Sequence, residues 1–489
     1  MSGSVIHTPL DRSLRPATRL FFGLGQVAEG LKSFSFSLFV LFYYNSVLGL
    51  SGSLCGLAIG LALIADAVSD PLMGSISDNF ESRWGRRHPF LFAAALPLSV
   101  TFFALFSPPD GLTDTGLFLW LTTFSVATRL MMTVYHVPHI ALGAELSSNF
   151  SERTRLVATR QIFGYAGAFV MAGVGFGYFF ADARGGRMNP DAYAPFAFVM
   201  SLTMVATILA SAWWTRDQIP FLPQHRAARS EESVLRRLVS ESRSAFANRS
   251  FRHLFAGVLL IYILAGTEGA LALYMYEFFW ALDSREILAI SLVYPIGLVG
   301  GALFTAQLHD RWDKAPTLIF GTIGWSVCQL LPVILRLFDA FPANGTTALI
   351  ALLVAFRLLQ GALVQQGFAS FSSMMGDIAD EHELETGRRQ EGIFFGVVSF
   401  SGKAASGAGS FVAGVALDVI HWPAGLGEGA TVASETIRDL GIVYGPLVAV
   451  FAFFAPFAYR GYTLDRARHR EILAALGERT PSDLPPADS

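Results

Sequence analysis

Apolar stretches of about 20 residues, each long enough to cross a hydrocarbon core of about 30 Å, recur from one end of this sequence to the other. Such a chain reads as an all-α, polytopic membrane protein. Composition agrees: 53% of its 489 residues are hydrophobic and 15% charged, against about 25% charged in a soluble domain. The stretch before the first apolar run is polar, and no small-residue cleavage site follows that run, so no cleaved signal peptide is expected. Cys55 and Cys328 both lie in apolar segments and read as buried small hydrophobes rather than as a disulfide or metal ligands.

Twelve helices are expected, beginning near residues 20, 52, 88, 116, 156, 193, 251, 285, 316, 345, 390 and 439. Alternate connections are basic: Arg83, Arg86 and Arg87; Arg153 and Arg155; Arg311 and Lys314; Arg388 and Arg389. The positive-inside rule then puts both termini in the cytoplasm, together with a long connection rich in arginine. The expected organisation is a tail over 1–17, a six-helix bundle over 18–214, a basic linker over 215–250, a second bundle over 251–460 and a tail over 461–489. The halves echo each other. The connections "GSISDNFESRWGRRHP" and "GALFTAQLHDRWDKAP" share glycine, Asp, Arg-Trp and a later proline. Predicted helices 4 and 10 both carry Arg-Leu, at Arg129 and Arg357, and close on a glycine and an acidic residue.

Charges inside such spans are costly, about 2.5–3.5 kcal/mol each on insertion scales, and are rarely idle. In "LALIADAVSDPLMG" Asp66 and Asp70 stand four apart and share one helix face. Asp66, Thr133 and Lys403 each lie twelve residues from an acidic residue at their helix end, Asp78, Glu145 and Glu391. At 1.5 Å per residue all three reach a common depth of about 18 Å. Two carboxylates and a hydroxyl offer hard oxygen ligands to an alkali cation, so Asp66, Asp70 and Thr133 are candidate Na⁺ ligands, with Lys403 able to replace the cation. A plain buried ion pair between two helices is the competing reading.

His136 and His139 flank Pro138 and read either as proton or solute partners or as groups satisfied by a proline-broken turn. Glu268 is a candidate solute contact in the second half. Arg83, Arg86, Arg87, Arg388 and Arg389 are expected to pair with Glu145, Asp377 and Glu391 as an inner gate, or merely to fix topology. "GLGQVAEG" fits close helix packing better than a phosphate cradle. No catalytic motif occurs, so no enzyme, no cofactor and no nucleic-acid partner is expected.

Three segments then resemble one known family. "DAVSDPLMGSISDNFESRWGRRHPF", "VPHIALGAELSSNFSERTRLVATR" and "GDIADEHELETGRRQEGIFFGVVSFSGKAASGAG" are similar to the signatures of the glycoside-pentoside-hexuronide:cation symporters, the melibiose-permease branch of the major facilitator superfamily. The resemblance covers nearly the whole chain in order. It implies the major facilitator fold, sugar uptake driven by Na⁺, Li⁺ or H⁺, a cation site of Asp66, Asp70, Thr133 and Lys403, and Arg160 as a solute-binding residue. Arg160 can equally be read as snorkelling to the interface. The chain departs from the family at the solute grip. Gly30, with Glu29 beside it, stands where a helix 1 aspartate is expected, His136 where a helix 4 aspartate is, and Ile140 where an aromatic platform is. Glu29 reaches that place only if the helix turns by one residue.

A cation-coupled importer of a sugar or glycoside is therefore expected, acting as a monomer in the inner (plasma) membrane, with the lipid bilayer and a small solute as its partners. The alternatives are a cation-coupled transporter of an amphiphile or exported metabolite, and a non-transporting receptor on the same scaffold.

Overall fold

A computed structural model describes residues 14–147, 149–222, 243–387, 391–427 and 430–477 of the chain. Arg388 and Arg389 lie outside the described residues, as does most of the 215–250 linker. Among the described residues there is no β-strand. The chain divides into two compact units, Met1–Val234 with Leu417–Thr431, and Leu235–Ala416 with Val432–Ser489.

The first unit holds α1 (Pro16–Leu24), α2 (Gln26–Ser35), α3 (Gly52–Asp78), α4 (His88–Leu105), α5 (Asp114–Glu145), α6 (Phe150–Val174) and α7 (Tyr193–Thr215). The second is built from α8 (Arg249–Tyr274), α9 (Ser284–Arg311), α10 (Lys314–Leu337), α11 (Thr347–Thr386), α12 (Glu391–Val419), α13 (Ser434–Ile442), α14 (Val448–Tyr459) and a short α15 (Arg466–Gly477). The last residues of α12 group with the first unit. Among the described residues ten stretches are long and apolar enough to cross a membrane. With the interrupted helix over 16–47 and α12, they are consistent with the twelve expected. Exposed Leu96, Leu303 and Phe304 (65%, 70% and 62%) present apolar surface of the kind that lipid covers.

Local chemistry sets the helix ends. The side chain of Asn149 accepts from the N–H groups of Ser151 and Glu152 at 2.9 and 3.2 Å. This cap starts α6 six residues before the expected position, so Arg153 and Arg155 fall in its opening turns and not in a loop. Asp283 and Glu286 form a capping box at the start of α9. The glycine run reads as helix packing. A Cβ on Gly30 would stand 2.1 Å from the Gly164 carbonyl oxygen, and one on Gly167 would stand 2.4 Å from that of Val27. Only glycines allow α2 and α6 to approach so closely.

The start of α3 is capped from far along the chain. Asp418 Oδ1 accepts the Gly52 N–H at 2.7 Å and its Oδ2 accepts the Ser53 N–H at 2.8 Å. The same segment adds the Gly425 and Leu426 N–H groups, which donate to the Asn45 and Ser46 carbonyls at 3.0 and 2.6 Å. Asp418→Ala orphans both α3 N–H groups and is expected to cost about 0.5–2 kcal/mol in thermal unfolding in detergent. Asp418→Asn, which keeps one acceptor, is expected to lose less.

Candidate ion-coupling site

In the first unit α3 packs along α5, and the four-residue spacings on both helices turn Asp66 and Asp70 toward Arg129 and Thr133. Thr133 Oγ1 stands 3.0 Å from Asp66 Oδ1 and 3.0 Å from Asp70 Oδ1. Ser69 Oγ approaches the same Thr133 oxygen at 3.2 Å and the Asp66 carbonyl at 3.0 Å. Arg129 Nη1 lies 3.4 Å from Asp66 Oδ2, and its guanidinium sits over the Phe36 ring, 4.7 Å from the centroid. Asp66, Arg129 and Thr133 are buried; Asp70 is half-buried.

A hydroxyl carries one proton, so Thr133 can donate to only one of the two carboxylates. The other 3.0 Å approach would bring two oxygens together with no hydrogen between them. A proton on a carboxyl or a cation among the oxygens removes that conflict. Arg129 offsets the charge of Asp66. The donor set fits a monovalent cation: carboxylate and hydroxyl oxygens are hard ligands. Among the described residues no group of three His, Cys, Asp or Glu is arranged to hold a metal.

Beside this cluster, Glu29 Oε1 takes Lys32 Nζ at 3.0 Å and the Ser33 hydroxyl at 2.5 Å, while its Oε2 is buried without a hydrogen bond. The Gln26 side-chain amide meets His136 Nε2 at 3.2 Å. His139 is a packing residue: its Nε2 meets the Phe22 carbonyl at 2.9 Å and its ring stacks on Phe22 at 4.6 Å. Arg160, on α6, is half-buried. Lys403 lies on α12 in the second unit, also half-buried. Sequence reasoning noted Arg129 without giving it a partner. The usable signal is its position four residues before Thr133, which sets both on one face of α5.

The second unit builds a related cage. Arg357 Nη1 donates to Glu268 Oε1 at 2.8 Å and to Gln360 Oε1 at 2.6 Å, and its guanidinium lies 4.5 Å from the Tyr294 ring centroid. Each Arg-Leu repeat thus places an arginine between a buried acid and an aromatic ring. The acid comes from the second span in the first unit, and from α8 in the second.

The gate candidates pair inside their own units. Arg87 donates to Glu145 Oε1 from Nε at 2.9 Å and from Nη2 at 2.6 Å, and also bonds Ser77 and Asp78. Arg86 Nη2 joins Glu145 at 2.9 Å. Asp377 takes Lys314 Nζ at 2.7 Å on both oxygens, and His469 of α15 lies 3.3 Å from it. Arg83 and Glu391 are exposed.

A family model described as MFS/sugar transport protein matches residues 21–466 of this chain. The chain belongs to that family. It is accordingly a multi-pass membrane transporter and not an enzyme, with the sequence signatures of the glycoside/cation symporters. It is 23% identical to an uncharacterized symporter of Synechocystis sp., over 94% of this chain and 96% of the relative. It is 22% identical to the isoprimeverose transporter of Lactiplantibacillus pentosus, over 91% and 88%. Among solved structures it is similar to the nucleoside transporter NupG, with a TM-score of 0.61 and 14% identity over 91% of this chain and 98% of that one. That likeness is one of fold.

Proposed function

We propose that this chain is a cation-coupled symporter that imports a sugar or glycoside by alternating access, with Na⁺, Li⁺ or H⁺ as the driving ion. The observation that carries the reading is the single Thr133 hydroxyl set 3.0 Å from an oxygen of each of two carboxylates. In this reading Asp66, held by Arg129, shapes the site, and Asp70 carries the charge that the ion neutralises. Lys403 takes the place of the ion when the site is empty. Glu29, His136, Arg160 and Glu268 are the solute contacts. Arg86 and Arg87 paired with Glu145, and Asp377 paired with Lys314, form the inner gate together with Arg83, Arg388, Arg389 and Glu391. Names of relatives, a symporter and an isoprimeverose transporter, support the same class of activity. The protein would work as a monomer in the inner (plasma) membrane with both termini in the cytoplasm.

The physics of coupling is the cost of a bare, desolvated charge. Closing the site with Asp70 ionised and unmatched is penalised by several kcal/mol; the ion removes that penalty in the loaded form and Lys403 removes it in the empty one. An about tenfold Na⁺ gradient with about 100 mV supplies about 3.7 kcal/mol per ion, enough to concentrate a neutral solute about 500-fold. The test is uptake of labelled xylose, isoprimeverose and lactose into proteoliposomes under an imposed Na⁺ or proton gradient. Accumulation above equilibrium that collapses with the gradient and is absent in Asp70→Asn is the expected result. Accumulation indifferent to the gradient and to that substitution would overturn the reading.

A further inference from the structure

The exposed face of α7 carries a row of side chains that ion coupling does not use. Phe198, Leu202, Leu209 and Trp213 are all exposed, and their spacings of four, seven and four residues set them in line. At 1.5 Å per residue the row is about 22 Å long, more than one leaflet's share of a hydrocarbon core about 30 Å thick. Lipid tails are enough to cover such a row. They do not account for how it ends.

Arg216 is exposed and stands three residues after Trp213, with its guanidinium carbon 3.3 Å from the centre of the Trp213 ring. That is the separation of stacked planes, and a guanidinium lying on a ring turns its N–H donors outward around its edge. Among the described residues Arg216 makes no hydrogen bond and no ion pair. Asp217 follows it in sequence, but its charge is felt by His88 at the start of α4. The next ring is held as well. Trp214 is exposed and stacks on Phe21 of α1, with centroids 4.6 Å apart and planes 8° apart. Neither the Trp213 nor the Trp214 indole N–H is hydrogen-bonded among the described residues.

Tryptophans at the end of an apolar row mark the depth at which a bilayer passes from tails to headgroups. The phosphate oxygens of a lipid lie at that depth. A fixed cation with an uncommitted donor edge, beside two free indole N–H groups, therefore meets acceptor oxygens there. Charge then selects among headgroups. Phosphatidylcholine brings a trimethylammonium with its phosphate, which Arg216 repels, whereas phosphatidylglycerol brings no cation. The connection that follows α7, over 215–250, is rich in arginine and adds attraction for a lipid of net negative charge. We propose that Trp213, Trp214 and Arg216 form a docking site for an anionic phospholipid. Its phosphate sits on the Arg216 edge and one of its tails lies along the α7 row. The site does not depend on the symport reading.

Arg184 supplies the comparison within the chain. It lies over the Tyr178 ring at 3.8 Å, in the connection that precedes α7, but that connection also carries Asp182 and Asp191. Full-length protein in dodecyl maltoside is titrated with dioleoylphosphatidylglycerol or dioleoylphosphatidylcholine, and bound lipid is counted by native mass spectrometry. The wild type is expected to bind phosphatidylglycerol about fivefold more tightly than phosphatidylcholine. Arg216→Gln should weaken phosphatidylglycerol about tenfold, the loss of a charged hydrogen bond, and remove the preference. Trp213→Leu, which keeps the row apolar and takes away the stacking ring, should weaken it about threefold. Arg184→Gln should change nothing. No preference for phosphatidylglycerol, a preference that survives Arg216→Gln, an equal loss in Arg184→Gln, or displacement of the lipid by inorganic phosphate would each overturn the proposal.

Discussion

Arg129→Met is expected to destabilise the protein by about 3–5 kcal/mol, one of the largest effects of any single substitution in the first unit. Asp66 is 7% exposed and Arg129 is its ion-pair partner, at 3.4 Å. Methionine fills much of the same volume over Phe36 but removes the cation that faces this buried carboxylate. The separation is longer than an ideal charged hydrogen bond, which favours the lower end of that range. The double substitution Arg129→Met with Asp66→Asn removes both charges and should recover most of the loss, since the damage comes from the stranded ion and not from the missing contact. Thermal unfolding in detergent of both singles and the double closes the cycle. A single variant as stable as the wild type would mean that Asp66 is neutralised by something other than Arg129.

Thr133→Val is expected to abolish ion-dependent stabilisation while leaving the fold intact. Valine matches the shape of threonine and removes only the hydroxyl that lies 3.0 Å from both Asp66 and Asp70. Without it the ion loses a ligand and the two carboxylates lose their shared donor. In the wild type an ion at about 100 times its Kd should add about 2.7 kcal/mol to stability. The valine variant should show none of this, and Thr133→Ser, which restores the oxygen, should regain most of it. A valine variant that still gains the full increment would place the ion elsewhere.

Helix order was legible because apolar length and basic loops are properties of composition along the chain, and they set the spans without regard to packing. The Asp66, Asp70 and Thr133 constellation was legible too, since depth counts simply as residues from a charged helix end. The early start of α6 was missed although its cause is local, a side-chain cap at Asn149 on the N–H groups of Ser151 and Glu152. What else escaped depends on partners far apart in sequence: the cap on α3 comes from Asp418, 366 residues away from Gly52. The echo of Arg129 in Arg357 was visible as a repeated Arg-Leu. Its meaning, an acid and an aromatic ring on either side of each guanidinium, needed the helices that supply them.

In the symport reading, Asp66, Thr133 and Asp70 form an ion site that a proton or a cation completes. The most direct measurement is the melting temperature of purified wild-type protein in NaCl, LiCl and KCl at matched ionic strength, at about pH 6 and about pH 8. Stabilisation by Na⁺ or Li⁺ over K⁺, or stabilisation that follows the proton concentration, is expected, lost in each case in Asp70→Asn. A melting temperature indifferent to cation, to pH and to that substitution would contradict it, and the carboxylates would then serve only to tie α3 to α5.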